Sequence, residues 1–270
     1  MSDKPPQHTA EHAAQFADAT IVAAYATRPP YPDEVFEIIE SLLPPGDRRV
    51  LELGCGSGDL TLGLAPRVSA LDAVDISAPM LELARKRLGA RHANVTWFHT
   101  AVESFALAAS YSAIVAGESL HWMDWEVVLP RCARWLDRDG VLAIADGRTL
   151  DSVPWRDELM ALIRTHSTTP EFRAYGLGEE LAHRGLFREL GQRRTKPVAF
   201  EQSVDDYVES FHSRNGFSRE RMTPHSAAEF DRALRAAVLR HCPDGVVRAA
   251  NSVRVVWGRP LSGEDPAGRR

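Results

Sequence analysis

Val50-Leu51-Glu52-Leu53-Gly54-Cys55-Gly56-Ser57-Gly58-Asp59-Leu60 is the stretch that decides the fold. An apolar strand pattern runs into glycines at alternate positions, and a leucine-rich helical pattern follows at once. Glycine lets the backbone turn tightly there and approach a ligand closely. The helix that starts behind the loop offers unpaired N–H groups to an anionic part of that ligand. A second apolar run, Val68 to Val74, closes on Asp75. A nucleoside-binding α/β fold needs an acid about twenty residues beyond its glycine loop to hold a ribose. Such a carboxylate accepts two charge-assisted hydrogen bonds from vicinal hydroxyls. Asp75 could instead cap the helix beginning at Ala78, but Ser77 already suits that task.

Working outward, strands alternate with helices. Strands are expected at 48–53, 68–75, 94–99, 111–117 and 141–146, and helices at 58–65, 78–89 and 125–136. In the second helix Met80, Leu81, Ala84 and Leu88 recur at helical spacing. This alternation predicts an α/β fold with a doubly wound, mostly parallel sheet that binds ligands at the carboxyl ends of its strands. Upstream, residues 1–15 read as a flexible arm and 16–46 as N-terminal helices. Phe16 to Ala26 is the first of these, broken by Arg28-Pro29-Pro30-Tyr31-Pro32. The core of the fold is 47–150.

Beyond 150 the pattern is less regular. Helices are expected over Trp155–His166, Ser203–Ser213 and Ser226–His241, and strands over Phe187–Phe200 and Val246–Trp257. These bring the sheet to seven strands. They predict a closing antiparallel pair with helices 203–241 inserted between its strands as a lid for substrate, within 151–261. The tail 262–270 is expected to be disordered.

The glycine spacing discriminates among ligands. A dinucleotide fingerprint needs its third glycine one position later than Gly58, and a phosphate loop needs a lysine that this loop lacks. Glu52-Leu53-Gly54-Cys55-Gly56-Ser57-Gly58 instead resembles the first motif of class I S-adenosylmethionine-dependent methyltransferases. His121-Trp122-Met123-Asp124 after the fourth strand, with Tyr25-Ala26-Thr27-Arg28-Pro29-Pro30-Tyr31-Pro32, is similar to the small-molecule branch that includes trans-aconitate methyltransferase-like and type 11 methyltransferases. This likeness covers about residues 16–146.

The resemblance implies a Rossmann-like fold, S-adenosyl-L-methionine as cofactor and methyl transfer to a small molecule at oxygen, nitrogen or carbon, as in natural-product tailoring. It places Gly54, Cys55 and Gly56 against the amino-acid end of the cofactor, Glu52 near its ammonium and Asp75 on its ribose. Ile76 and Met80 either sandwich the adenine or belong to the core. The family's usual adenine-binding acid aligns with Ala101, so the Val102 backbone N–H and Glu103 would have to serve. Gly117 and Glu118, at the end of the fourth strand, are further cofactor-binding candidates. Tyr25 or Arg28 could reach the cofactor carboxylate, Arg being suited to a bidentate grip; otherwise Arg28 forms a surface ion pair and Tyr25 is core.

His121 is the candidate catalytic base, since imidazole titrates near neutrality; it could equally orient the cofactor or stack on Trp122. Glu118 and His121 form one E-x-x-H pair without a second, so no metal site is expected. His212, Arg214 and Asn215 suit either a substrate contact or a solvated turn. Two other readings stay open. One is cyclisation or cleavage of S-adenosylmethionine; the other is a nucleoside-binding interaction protein with Trp122, Trp125, Trp135 and Trp155 on its partner face.

The 270 residues are 44% hydrophobic and 26% charged with a formal charge of −5, ordinary for a globular protein. Scattered arginines give no footprint for nucleic acid or an anionic membrane. The sequence has no span long enough for a bilayer, and its first residues lack a signal-peptide apolar segment. Three widely separated cysteines suggest a cytoplasmic setting. A monomer or homodimer is expected.

Overall fold

The computed structural model describes residues 8, 16, 18–89, 92–106, 109–150, 153–169, 175–214 and 216–261. The expected tail, Asn215 and all of the expected arm except residue 8 lie outside them. The chain gathers into two compact units. One consists of Tyr31–Arg148, Ala174–Lys196 and the segment from Val253; the other consists of the segment to Pro30, Thr149–Arg173 and Pro197–Ser252.

The first unit is built on a sheet whose strands are β1 (Arg49–Leu53), β2 (Ala70–Asp75), β3 (Val95–His99), β4 (Tyr111–Gly117), β5 (Leu136–Leu150), β6 (Phe187–Arg194) and β8 (Val246–Pro260), in the order β3-β2-β1-β4-β5-β8-β6. β1 to β5 pair in parallel, and β6 pairs antiparallel with the second half of β8. The mostly parallel, doubly wound sheet expected from the sequence is present, with eight strands rather than seven because β7 (Val198–Ser203) also pairs with β8.

Helices cover both faces, which is why the central strands read as continuous apolar runs. On one face Leu51, Leu53, Ile114 and Leu142 pack with Trp125, Val128 and Leu129 of α5 (Trp125–Trp135) and Leu177 and Leu181 of α7 (Leu177–His183). On the other, Val50, Ala113, Val115 and Val141 pack with Val35, Ile38 and Ile39 of α2 (Asp33–Ser41) and Leu60 and Leu64 of α3 (Asp59–Leu64). α4 (Ala78–Leu88) starts at Ser77, whose hydroxyl accepts the Met80 N–H. Gly89 ends it with a positive φ.

The second unit holds α1 (Ala19–Ala24), α6 (Arg156–His166), β7 (Val198–Ser203), α8 (Val204–Phe211), α9 (Pro224–Leu239) and the first half of β8, which pairs antiparallel with β7. Trp155, Tyr207, Phe211, Phe230 and Val247 form its core. Helices 204–239 do sit between the two antiparallel partners in the chain.

Three details differ from expectation. Strand 187–200 is two strands, because Pro197 has no N–H for the ladder and the pairing with β8 slips by one residue across Thr195-Lys196-Pro197. β5 begins at Leu136 rather than 141; a bulge opposite Tyr111–Ala113 absorbs the extra residues, and Gly140 allows close approach to the Tyr111 carbonyl. α7 has no sequence signal beyond Leu177 and Leu181. A partner face of tryptophans is not formed: Trp125, Trp135 and Trp155 are buried core residues. No helix among the described residues is long and apolar enough to cross a membrane.

α2 and α3 meet at Gly63, where an added Cβ would lie 2.2 Å from the Phe36 ring. Helix propensity favours Gly63→Ala by about 1 kcal/mol, whereas overpacking costs about 1–3 kcal/mol. Phe36 is buried and has little room to retreat, so the second effect prevails. Gly63→Ala is expected to lower the urea midpoint, and adding Phe36→Leu to restore it.

Candidate functional site

The loop after β1 is built from left-handed glycines. Gly54, Gly56 and Gly58 have φ of 66°, 52° and 82°, a region in which other residues are strained. Gly54 and Cys55 donate their N–H groups to the Val74 carbonyl at 2.8 and 3.0 Å, and Gly56 donates to Asp75 Oδ2 at 2.7 Å. Asp75 Oδ1 accepts the Ser77 N–H at 2.7 Å. A Cβ on Gly54 would stand 2.7 Å from that of Ser119, whose hydroxyl donates to the Leu53 carbonyl at 2.5 Å. The loop thus sits between β1 and β4, where the strand order reverses and such sheets bind ligands.

Burial governs the titratable groups around it. Asp75 is 8% exposed, and its pKa is raised by burial against the opposing pull of its two backbone donors. Glu52 points from β1 toward α3 because alternate residues of a strand face opposite ways. There it accepts the Thr61 hydroxyl at 2.6 Å. Burial pushes its pKa up to about 8, helped by Asp59 and Asp75. Burial likewise raises the Cys55 thiol, leaving it protonated and inert.

Ile76 is 63% exposed, an unusual position for a large apolar side chain, whereas Met80 is buried. His99 Nε2 lies 3.1 Å from the Ile76 carbonyl and fixes that turn. The Thr100 N–H donates to the Asp75 carbonyl at 3.0 Å, which brings the next residue, Ala101, beside the end of β2. Val102 is a core residue, and Glu103 accepts the Asp124 N–H at 2.8 Å.

At the end of β4, a Cβ on Gly117 would meet Leu60 and the Tyr31 hydroxyl at 2.6 Å. Glu118 has a φ of 53°, rare for a residue with a side chain. Its carboxylate accepts the Gly147 N–H at 2.8 Å. Asp146, for which no motif speaks, stands beside it; burial and the Glu118 charge raise its pKa against the pull of Arg254. His121 lies against Trp122 with ring centroids 4.8 Å apart.

Tyr25 and Arg28 belong to the second unit. The Arg28 guanidinium lies 4.2 Å over the Tyr25 ring and donates to the Ser213 hydroxyl and carbonyl at 2.7 and 2.6 Å. His212 is not part of a solvated turn. It is fully buried, with Nδ1 2.7 Å from the Phe217 carbonyl and Nε2 2.7 Å from Asp231. Burial opposes ionisation of Asp231, but hydrogen bonds from His212 and Arg219 outweigh it and lower its pKa. Arg214 lies over Phe211.

The sequence family described as "methyltransferase domain" matches residues 50–140, from β1 to the start of β5. A methyltransferase of Mycobacterium tuberculosis, itself uncharacterised, is 35% identical over 53% of this chain and 56% of its own length. Over residues 50–140 the chain is thus similar to methyltransferase domains. It spans about half the length of the mycobacterial methyltransferases that it matches. An uncharacterised methyltransferase of Schizosaccharomyces pombe is 27% identical over 87% of this chain and 90% of its own. A structure from Anaeromyxobacter dehalogenans, assigned as a type II methyltransferase, shares the fold with a TM-score of 0.60 and 24% identity, over 86% of this chain and 97% of that one.

The likeness of residues 50–140 to methyltransferase domains points to S-adenosylmethionine as the cofactor to test, and the residues present fit it. The left-handed glycines put no side chain between the loop backbone and a ligand, and Asp75 is oriented by backbone donors on both oxygens. Ile76 offers an exposed apolar surface beside Asp75. Among the described residues no three His, Cys, Asp or Glu side chains converge to hold a metal ion.

Asp75→Asn turns one carboxylate oxygen into a donor facing a backbone N–H. It should weaken S-adenosylmethionine binding at least about tenfold, a difference of about 1.4 kcal/mol measurable by calorimetry. Gly54→Ala, with its left-handed φ and the Ser119 contact, should abolish binding.

The folded chain retains a Glu52 proton that the unfolded chain loses, between the ordinary pKa of 4.5 and the folded value of about 8. Stability through this group therefore falls as pH rises across that window and levels off above it. Glu52→Gln should leave the thermal midpoint nearly unchanged at pH 5 and raise it by about 2–4 °C at pH 8.5, roughly the effect of 1 kcal/mol.

Proposed function

We propose that the protein transfers a methyl group from S-adenosylmethionine to a small-molecule acceptor. The observation that carries this reading is the glycine loop hydrogen-bonded onto Asp75 at the reversal between β1 and β4. When bound, the cofactor supplies a methyl group already activated by a positively charged sulfur, so the protein's own work is alignment and exclusion of water. In this reading Asp75 holds the ribose hydroxyls, and the glycine loop lies along the amino-acid end. Glu52 gives up its proton to meet the ammonium. Ile76 carries one face of the adenine, with the Ala101–Glu103 turn at its edge.

The sheet order supports one direction for the cofactor in this reading. Adenine lies toward β3, ribose at β2, and the methyl group beyond β1, toward the end of β4 with Gly117, Glu118 and His121. His121 takes the acceptor's proton as the new bond to carbon forms, or orients the acceptor through its ring. A cytoplasmic protein accords with three unpaired cysteines among the described residues.

Incubating the protein with methyl-labelled S-adenosylmethionine and a panel of small hydroxyl, amine and carbon acids tests the reading. S-adenosylhomocysteine is expected as the coproduct; methylthioadenosine would instead mean cleavage of the cofactor, and no binding by calorimetry would end the proposal. With a working acceptor, His121→Gln should reduce kcat about a hundredfold while leaving cofactor affinity within about twofold.

A further inference from the structure

Arg87 closes a brace across the glycine loop that neither the motif nor its spacing reveals. It stands in the last turn of α4, thirty residues along the chain from its target. One guanidinium nitrogen donates to the Ser57 carbonyl at 2.7 Å, the Ser57 hydroxyl at 3.0 Å and Asp59 Oδ1 at 2.7 Å. Ser57 is 2% exposed and sits between Gly56 and Gly58, so the contact is with the interior of the loop.

A surface ion pair with Asp59 alone would be worth little. The geometry here is different in kind, because the same nitrogen holds the backbone of a segment with three left-handed glycines. Such a segment loses much conformational freedom on ordering. α4 also backs the loop three residues earlier: a Cβ on Gly58 would lie 3.1 Å from that of Ala84. The start of α4 is tied to Asp75 through the Ser77 N–H. One rigid helix therefore fixes the ribose acid at its first turn and the loop at its last.

We propose that Arg87 is a positioning residue for the amino-acid end of the cofactor, holding the loop at the distance from Asp75 that the ligand spans. This rests on the reading of the loop as an S-adenosylmethionine site. Arg87 touches no reacting atom. Its removal lets the Ser57–Gly58 backbone drift while Asp75, held by the Ser77 N–H at the start of α4, stays in place. Affinity should then fall for ligands that carry the amino-acid end and not for those that lack it.

Calorimetry of the full chain with S-adenosylhomocysteine and with 5′-methylthioadenosine, which lacks that end, separates the possibilities. Arg87→Met is expected to weaken S-adenosylhomocysteine about tenfold, or 1.4 kcal/mol, and to leave methylthioadenosine within about twofold. Arg87→Lys, which can still donate to the Ser57 carbonyl, should recover most of the loss. Equal weakening of both ligands, or of neither, overturns the assignment. So does a fall in the thermal midpoint of Arg87→Met of more than about 5 °C, which would mark a general structural role. If the unaltered chain binds neither ligand, the cofactor reading itself fails and the assignment falls with it.

Discussion

The Asp75 carboxylate is the constraint on which the site depends. It is buried, and burying a charge without partners is costly. It is satisfied by two backbone N–H groups, one from the loop after β1 and one from the start of α4. Those bonds make one side chain the joint between two strand–helix units. They also explain why the glycines are needed: the Gly56 N–H reaches Asp75 only because the loop takes left-handed turns on either side of it. The carboxylate is thereby fixed in direction.

Burial divides the acids of the site into different roles. Glu52 has one hydroxyl partner, and desolvation leaves it protonated near neutrality. Asp146 stands beside Glu118 near the carboxyl ends of the paired segments of β4 and β5, where burial and the Glu118 charge disfavour its ionisation. Arg87, by contrast, remains partly exposed and acts through geometry rather than through a buried charge.

Much of the fold was legible because both signals are local. β4 and α4 fall within a residue of their expected bounds, since each is a periodic run between clear stops at Gly117, Ser77 and Gly89. α7 was not legible because two leucines cannot define a helix; its packing on the sheet does. The division of strand 187–200 came from pairing with β8, a partner some sixty residues away in the chain. Among site residues, Gly54, Gly56 and Asp75 were readable from spacing. Ser119, Thr61, Arg87 and Asp146 were not, because each owes its place to a contact across the fold. His212 looked like a polar turn residue and proved to be buried, since its partner Asp231 lies on another helix.

The sequence by itself determined the alternation of strands and helices, the glycine loop and the acid at the end of the next strand. Periodicity and conformational freedom are properties of neighbouring residues, so they survive in a linear reading. Only the tertiary structure decided which acids keep their protons, which tryptophans are core, and that Arg87 reaches back to hold the loop. Those outcomes follow from desolvation and from hydrogen bonds between distant segments, and both are fixed only when the chain has folded.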